Sequence, residues 1–582
     1  MTPETASPNH TPSGIAEHAV SIDGAFGWLH AGHNRRGVIF CGTHGYEQLC
    51  AHRAWRELTH RVGQTGCTTL RFDYPGEADS AEPQGARLAA WIVSIRRAIA
   101  YLRDVMAVED VVLVGLRLGG TLAALAAEGE GVDRLVLLAP FSTGRAFLRE
   151  MKFQARAINL LPDASPMPVE PGPLNVGGFH LDPGLVSDLS TVDLAASDHA
   201  PAPHVLVMGG DAIRLAASFG ARGAAVETAP FPDLAGLVAD PLNATITEET
   251  ASVVAAYAAS GAMARAGLAP VPPSGGVTLA GPTWREEAVR FGPDLFGIEC
   301  RPLGSGPARA RMLFLNLGTI VRSGHGRQVT ALARKLAGLG IASLRMDLLG
   351  VGDSPERPGG GVPLYDLDAL ADVRAAIDHL VGQGTGPIVL HGTCNGAYLA
   401  FHALCRDERI RGAVLANLYC FDWDLTHDGE PFSAKPVRSV TAYADLLKQR
   451  EALRRVFTGQ TPIASILAGI LRRRFHKMAA ALRPGARQET IKERIVRLRG
   501  RGAELVLLYS AGDLGLADLR LQLGATPAEV AATLGEPARI LDGADHILST
   551  AKAQDELFET LLEVIERVES SQPRREHAKA LP

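Results

Sequence analysis

Cys394 has the surroundings of a nucleophile. It lies in Gly392-Thr393-Cys394-Asn395-Gly396, after an apolar run of strand type at 388–391. From Asn395 on, Ala397, Ala400, Phe401 and Leu404 recur at helical spacing. A G-x-Cys-x-G turn between strand and helix holds its central residue in strained backbone above a sheet. Gly392 and Gly396 spare that turn the clashes larger residues would bring. The following helix points its free N–H groups and positive dipole end at the thiol, which lowers the pKa and raises the thiolate fraction. The plain alternative is a core cysteine between two packing glycines. With 62 Gly and 7 Cys in the chain, the pattern should arise by chance only ~0.1 times.

A base and an acid follow in order. Residues 504–509 (ELVLLY) read as a buried strand, and Asp513 stands in the turn that leaves it, with Asp518 as a competing acid. His546 ends the phrase Leu541-Asp542-Gly543-Ala544-Asp545-His546, ahead of an amphipathic helix near 556–568. His546 would take the thiol proton, and Asp513 would fix the tautomer and orientation of the imidazole.

The elements that must position these groups occur twice. In the first half, strands are expected at 17–22, 26–30, 37–41 and 68–72, with a helix at 51–62. The last strand runs into LRFDYPGEADS, and near residue 344 the phrase returns as LRMDLLGVGDS. The second copy has its own strands at 286–291, 295–301 and 312–316 and a helix at 328–339. A period of about 274 residues marks a duplicated domain, not a solenoid. Strands alternating with helices, apolar on both faces, predict a doubly wound, mostly parallel sheet in each half.

The first half keeps this plan without the chemistry. Its elbow reads Val114-Gly115-Leu116-Arg117-Leu118-Gly119-Gly120, with an arginine in the nucleophile's place. Asp211 follows a strand at 204–208, but no histidine occurs between His204 and His325. A guanidinium stays protonated and cannot attack a carbonyl at neutral pH. Either Arg117 pairs with Asp211 or Glu47 and plugs the old site, or it binds a substrate carboxylate or phosphate.

From elbow to acid the second half is about 25 residues longer than the first (394 to 513 against 117 to 211). The extra length is a helical segment at about 437–501, in the place of a lid. Its lysines and arginines, Arg472-Arg473-Arg474 among them, far outnumber Asp445, Glu451, Glu489 and Glu493. Such a run is either a solvated face or a docking surface for an anionic partner: acyl carrier protein, coenzyme A, a lipid head group or an acidic glycan.

With 582 residues the chain exceeds one core. The reading is a leader at 1–14, a degenerate domain at 15–262, a Pro/Gly linker at 263–276, an active domain at 277–570 and a tail at 571–582. A net charge of −5 gives no case for nucleic acid, and no apolar run is long enough to span a membrane. Seven scattered cysteines without C-x-x-C pairs fit a reducing cytoplasm, not a zinc site or a disulfide framework.

The phrases LNLGTIVRSGHGR, LRMDLLGVGDS and GTCNGAYLAFHAL, with Asp545-His546, resemble the α/β-hydrolase family associated with exosortase and exopolysaccharide gene clusters, a relative of the serine aminopeptidase-like hydrolases. The GLRLGG elbow is similar to a sister branch. A cysteine in the elbow also resembles dienelactone hydrolases and polyhydroxyalkanoate synthases, which handle a lactone and acyl thioesters. The resemblance implies two tandem α/β-hydrolase domains, and nucleophile, acid and histidine stand in that fold's chain order. The expectation is a cysteine-dependent acyl hydrolase or acyltransferase without a cofactor or metal. It would take a small acyl substrate, free or carrier-bound at the basic lid. Asn395 N–H and one from Gly318 or Thr319 would hold the oxyanion. The rival is a non-catalytic scaffold of a biosynthetic complex built on two such folds.

Overall fold

The computed structural model describes residues 16–158, 174–265, 277–304, 306–423 and 489–571. The leader, nearly all of the expected linker, lid residues 437–488 and the tail lie outside them. The chain forms two compact units, Met1–Val362 with Arg374–Gly386 and Pro363–Val373 with Pro387–Pro582.

In the first unit the strands are β1 (His18–Ile22), β2 (Ala25–His30), β3 (Arg36–Cys41), β4 (Thr68–Phe72), β5 (Asp110–Leu116), β6 (Arg134–Leu138), β7 (Leu174–Val176), β8 (Phe179–Leu181), β9 (His204–Met208) and β10 (Ala225–Ala229). All but the β7–β8 hairpin lie in one sheet of order β1-β2-β4-β3-β5-β6-β9-β10. β1 and β2 are antiparallel, and the sheet is parallel from β4 onward. Alternation along β3 shows why the strands read as continuously apolar. Ile39 and Cys41 join one buried layer, Val38 and Phe40 the other, because helices cover both faces.

The same unit continues with β11 (Thr278–Ala280), β12 (Trp284–Phe291), β13 (Leu295–Pro302), β14 (Arg311–Phe314) and β15 (Ala342–Met346), ordered β11-β12-β13-β15-β14. After the extra β11, this repeats β1-β2-β4-β3. The second unit holds β16 (Ile388–Thr393), β17 (Ile410–Ala416), β18 (Glu504–Ser510) and β19 (Arg539–Leu541), all parallel and repeating β5-β6-β9-β10. Both halves are thus α/β-hydrolase folds in tandem.

Some element ends differ from expectation. The helix foreseen at 51–62 spans Gly45–Gly63, because its first turn lacks apolar periodicity but gains Glu47 beside the positive helix end. β14 stops at Phe314, two residues early, because Asn316 turns inward: its Nδ2 donates to Ile320 O at 3.0 Å and to Asp347 at 3.1 Å.

Within the first unit, the two LRxD phrases meet and exchange charges. Arg71 bonds Glu17 of its own half at 3.3 Å and Asp353 of the other at 2.7 Å. Arg345 bonds Glu286 of its own half at 2.6 Å and Asp79 of the other. Arg56 donates to Gly352 O and Ser354 O, while Arg334 donates to Asp79 O and Ser80 O. Ser80 Oγ and Ser354 Oγ accept from Phe26 N and Phe296 N in turn. Such reciprocal contacts mark a pseudo-two-fold relation. Arg322 adds to this set, reaching Asp79, Asp347 and Asp353 within 2.8 Å.

Candidate active site

β16 ends at Thr393, and the helix Asn395–Arg406 starts one residue beyond Cys394. Cys394 takes φ 55°, ψ −114°, a region that only a surrounding structure can impose on a non-glycine residue. A side chain at Gly392 would place its Cβ 2.2 Å from the Gly396 carbonyl carbon, so the turn closes only with glycine there. Cys394 N donates to Ala416 O at 3.0 Å, which ties the elbow to β17. The thiol itself is buried.

His546 and Asp513 stand at the same end of the second unit. His546 Nδ1 donates to Asp513 Oδ2 at 2.5 Å, and Asp513 Oδ1 accepts from Gly515 N at 2.8 Å. Nδ1 is therefore occupied, and His546 also hydrogen-bonds Cys394. Asp518, the competing acid, is engaged elsewhere, accepting from Phe421 N at 2.9 Å and Gln522.

Electrostatics follow from this arrangement. Burial alone would push the Cys394 thiol up, but the charge and hydrogen bond of His546, the Tyr365 hydroxyl and the Asn395 N–H bring it below its usual value. Burial would lower His546, yet the Cys394 thiolate and the Asp513 carboxylate raise the imidazole well above its usual value. The pair favours thiolate and imidazolium. Elsewhere burial dominates: it pushes Cys50 and Cys300 up to about 12 and Cys405 up to about 11.

Two positions have no local sequence signal. Asn417, fully buried after β17, donates through Nδ2 to His546 O at 2.8 Å and to Ser510 Oγ at 3.0 Å, fastening the histidine loop. Tyr365 takes φ 51°, and its hydroxyl lies 3.1 Å from Cys394 Sγ. Its backbone N–H donates to Asn395 Oδ1 at 2.6 Å. Tyr398, Tyr419 and Trp423 surround its ring, with centroids 5.2–6.1 Å away. The oxyanion candidates Gly318 (φ 57°) and Thr319 occupy the loop after β14, in the first unit.

The elbow geometry survives in the first half. Arg117 takes φ 54°, ψ −118°, nearly the values of Cys394. Its guanidinium bonds Glu47 at 3.1 Å, also pairs with Glu150, and stacks 4.2 Å from the centre of the Phe141 ring. Of the two partners weighed from sequence, Glu47 is therefore the one taken. Asp211 instead accepts from Ser142 Oγ at 2.5 Å. Two carboxylates neutralise Arg117 and leave little attraction for an anion.

In the expected lid, the described end is a helix, Ile491–Gly500, opened by a Thr490–Glu493 capping box. Its arginines are engaged: Arg494 with Asp422, Arg497 with Glu489, and Arg499 and Arg501 with backbone carbonyls. Among the described residues no helix is long and apolar enough to cross a membrane.

Residues 322–442 match the family model described as serine aminopeptidase, S33, a stretch that includes Cys394 but neither Asp513 nor His546. No curated protein matches the chain. Among solved structures, the chain is similar to the ferulic-acid-bound esterase Est1E from Butyrivibrio proteoclasticus, with 17% identity over 41% of this chain and 96% of that one, and a TM-score of 0.30. A cold-adapted esterase from an Arctic intertidal metagenomic library shows 16% identity over 49% and 97%, with a TM-score of 0.27. A hyperthermophilic esterase from the archaeon Pyrobaculum calidifontis shows 14% identity over 42% and 84%, with a TM-score of 0.29.

Proposed function

We propose that this chain is a cysteine-dependent acyl hydrolase or acyltransferase acting on esters or thioesters, with Cys394, His546 and Asp513 as its triad and a chemically silent first half. The observation that supports it best is the 2.5 Å bond from His546 Nδ1 to Asp513, which commits that nitrogen to the acid while the imidazole also bonds Cys394.

The thiolate of Cys394 attacks the acyl carbon, forming the S–C bond while the carbonyl π electrons move to oxygen. Collapse of that adduct expels the alkoxide or thiolate leaving group, which takes the proton from imidazolium His546. Neutral His546 then removes a proton from water or an acceptor alcohol, amine or thiol, which attacks the thioester and releases Cys394. Asn395 N–H, already bonded to the sulfur, would serve the oxyanion. The excess of lysine and arginine in the sequence at about 437–501 adds a carrier-bound acyl group as one candidate substrate.

Intact-protein mass spectrometry after mixing with a panel of acyl thioesters and p-nitrophenyl esters tests this reading. An adduct of the acyl mass on wild type and none on Cys394→Ala supports it. Equal turnover by Cys394→Ala overturns it, and would leave a two-fold scaffold as the better reading.

A further inference from the structure

Tyr365 stands against the one atom that must change its bonding during the reaction. It is 29 residues from Cys394 in sequence and 1% exposed, and its hydroxyl is 3.1 Å from Sγ. Its backbone sits at φ 51°, where a tyrosine is disfavoured. Three features hold it there. Asn395, the residue after the nucleophile and fully buried, accepts the Tyr365 N–H at 2.6 Å. The Tyr398 ring meets it edge-on at 5.2 Å, and Trp423 lies at 5.4 Å. Strained backbone, fixed by a residue of the elbow, is the pattern expected where position matters more than local stability. A tyrosine kept only to fill space would need its ring in place, not its hydroxyl on the sulfur.

We propose, resting on the reading of Cys394 as nucleophile, that Tyr365 is a further catalytic residue: its hydroxyl donates to the Cys394 thiolate and transfers that hydrogen bond to the oxyanion once sulfur has bonded to carbon. The chemistry follows from what each atom can accept. An ionised sulfur is a strong acceptor, and a donor beside it stabilises the charged form. After attack, the sulfur carries an acyl carbon and becomes thioether-like, a weak acceptor. The negative charge has moved to the oxygen on the adjacent carbon, within reach of a hydroxyl that already touches sulfur. The O–H bond stays intact throughout and only its acceptor changes. Such a donor serves the thiolate before attack and the tetrahedral adduct after it, without reorganising the site. The phenol itself stays protonated, because burial and the neighbouring thiolate raise it well above its usual value.

Tyr365→Phe in the full chain removes the hydroxyl and keeps the ring. Two readouts are expected to move together. The midpoint of the pH–rate profile for iodoacetamide alkylation of Cys394 should rise by roughly one pH unit, since loss of the donor disfavours thiolate. With a p-nitrophenyl ester, kcat should fall ~10²-fold with KM nearly unchanged, the scale of losing one oxyanion donor. A structural role would move neither while the fold persists, and the melting temperature of the variant reports the fold. Should Tyr365→Phe melt well below wild type, the two measurements are repeated at a temperature where the variant is fully folded. An alkylation midpoint or a kcat unchanged in a folded variant overturns the proposal. Retained turnover in Cys394→Ala would instead bring down the nucleophile assignment, so the two failures are distinguishable.

Discussion

Arg71 of the first half bonds Asp353 of the second at 2.7 Å, and the equivalent arginine and aspartate, Arg345 and Asp79, pair in the opposite sense. All four side chains are buried. Burial alone would raise both carboxyls, but Arg322 with Arg345 lowers Asp79, and Arg71 with Arg322 holds Asp353 well below the usual range. Each half thus carries charges that the other must neutralise.

Removing either carboxylate leaves buried guanidinium groups short of a partner. Asp353→Ala and Asp79→Ala should each cost about 3–5 kcal/mol, the range for breaking one side of a buried ion pair. Chemical denaturation measures this, and a cost below about 1 kcal/mol would show that the exchange contributes little to stability. Asp353 lies outside the candidate site, so the folded variant should keep Cys394 alkylation.

The same groups set an acid limit. Because their folded pKa values are depressed, Asp79 and Asp353 contribute stability that is complete above the unfolded aspartate value near 4 and is lost as pH falls through the lower folded values. The melting temperature should therefore fall steeply below about pH 4, and Asp353→Asn should flatten that limb while lowering the plateau. An acid limb of unchanged slope in Asp353→Asn would assign acid unfolding to other groups.

Cys394 should be the cysteine that alkylates fastest near neutral pH, because His546 and the helix N-terminus favour its thiolate while burial raises Cys50, Cys300 and Cys405. Time-resolved iodoacetamide labelling with peptide mapping reads the order directly. Earlier modification of Cys405 would contradict the electrostatic picture.

Loss of the base should be severe and loss of the first-half arginine slight. His546→Ala should lower turnover at least ~10²-fold, the scale of general-base catalysis. Arg117→Ala should leave kcat almost unchanged, although Glu47 and Glu150 lose their counter-charge and stability falls. A drop in kcat for Arg117→Ala comparable to that of His546→Ala would mean that the first half takes part in the chemistry.

The elbow was legible because its constraints are local. A strand, a G-x-Cys-x-G turn and a helix fall within a few residues, and the strained φ of Cys394 and Arg117 follows from that turn. Asp513 was legible because it leaves a strongly apolar strand, although only the structure separates it from Asp518, which is bonded to Phe421. Tyr365 was not, because its place at the sulfur depends on Asn395 and on three aromatic rings scattered along the chain. The repeat was visible as a duplicated phrase. Its cross-pairing was not, since Arg71 and Asp353 lie 282 residues apart and no spacing rule links them. β10 and β19, short and partly exposed, and the three-residue strands β7 and β8 lack the apolar run that marks a strand.

The exchanged ion pairs also bear on why the two halves persist together. The first elbow holds an arginine, Arg117, where the second holds Cys394. Loss of Asp79 would strip Arg322 and Arg345, both of the other half, of its carboxylate oxygens. A shortened gene encoding only the second half would leave those arginines without these acceptors. Arg345 is buried at 0% exposure, where a charge finds no water in exchange. Duplication followed by this trade of charges works as a ratchet: once each copy relies on the other's carboxylates, the two are no longer free to part.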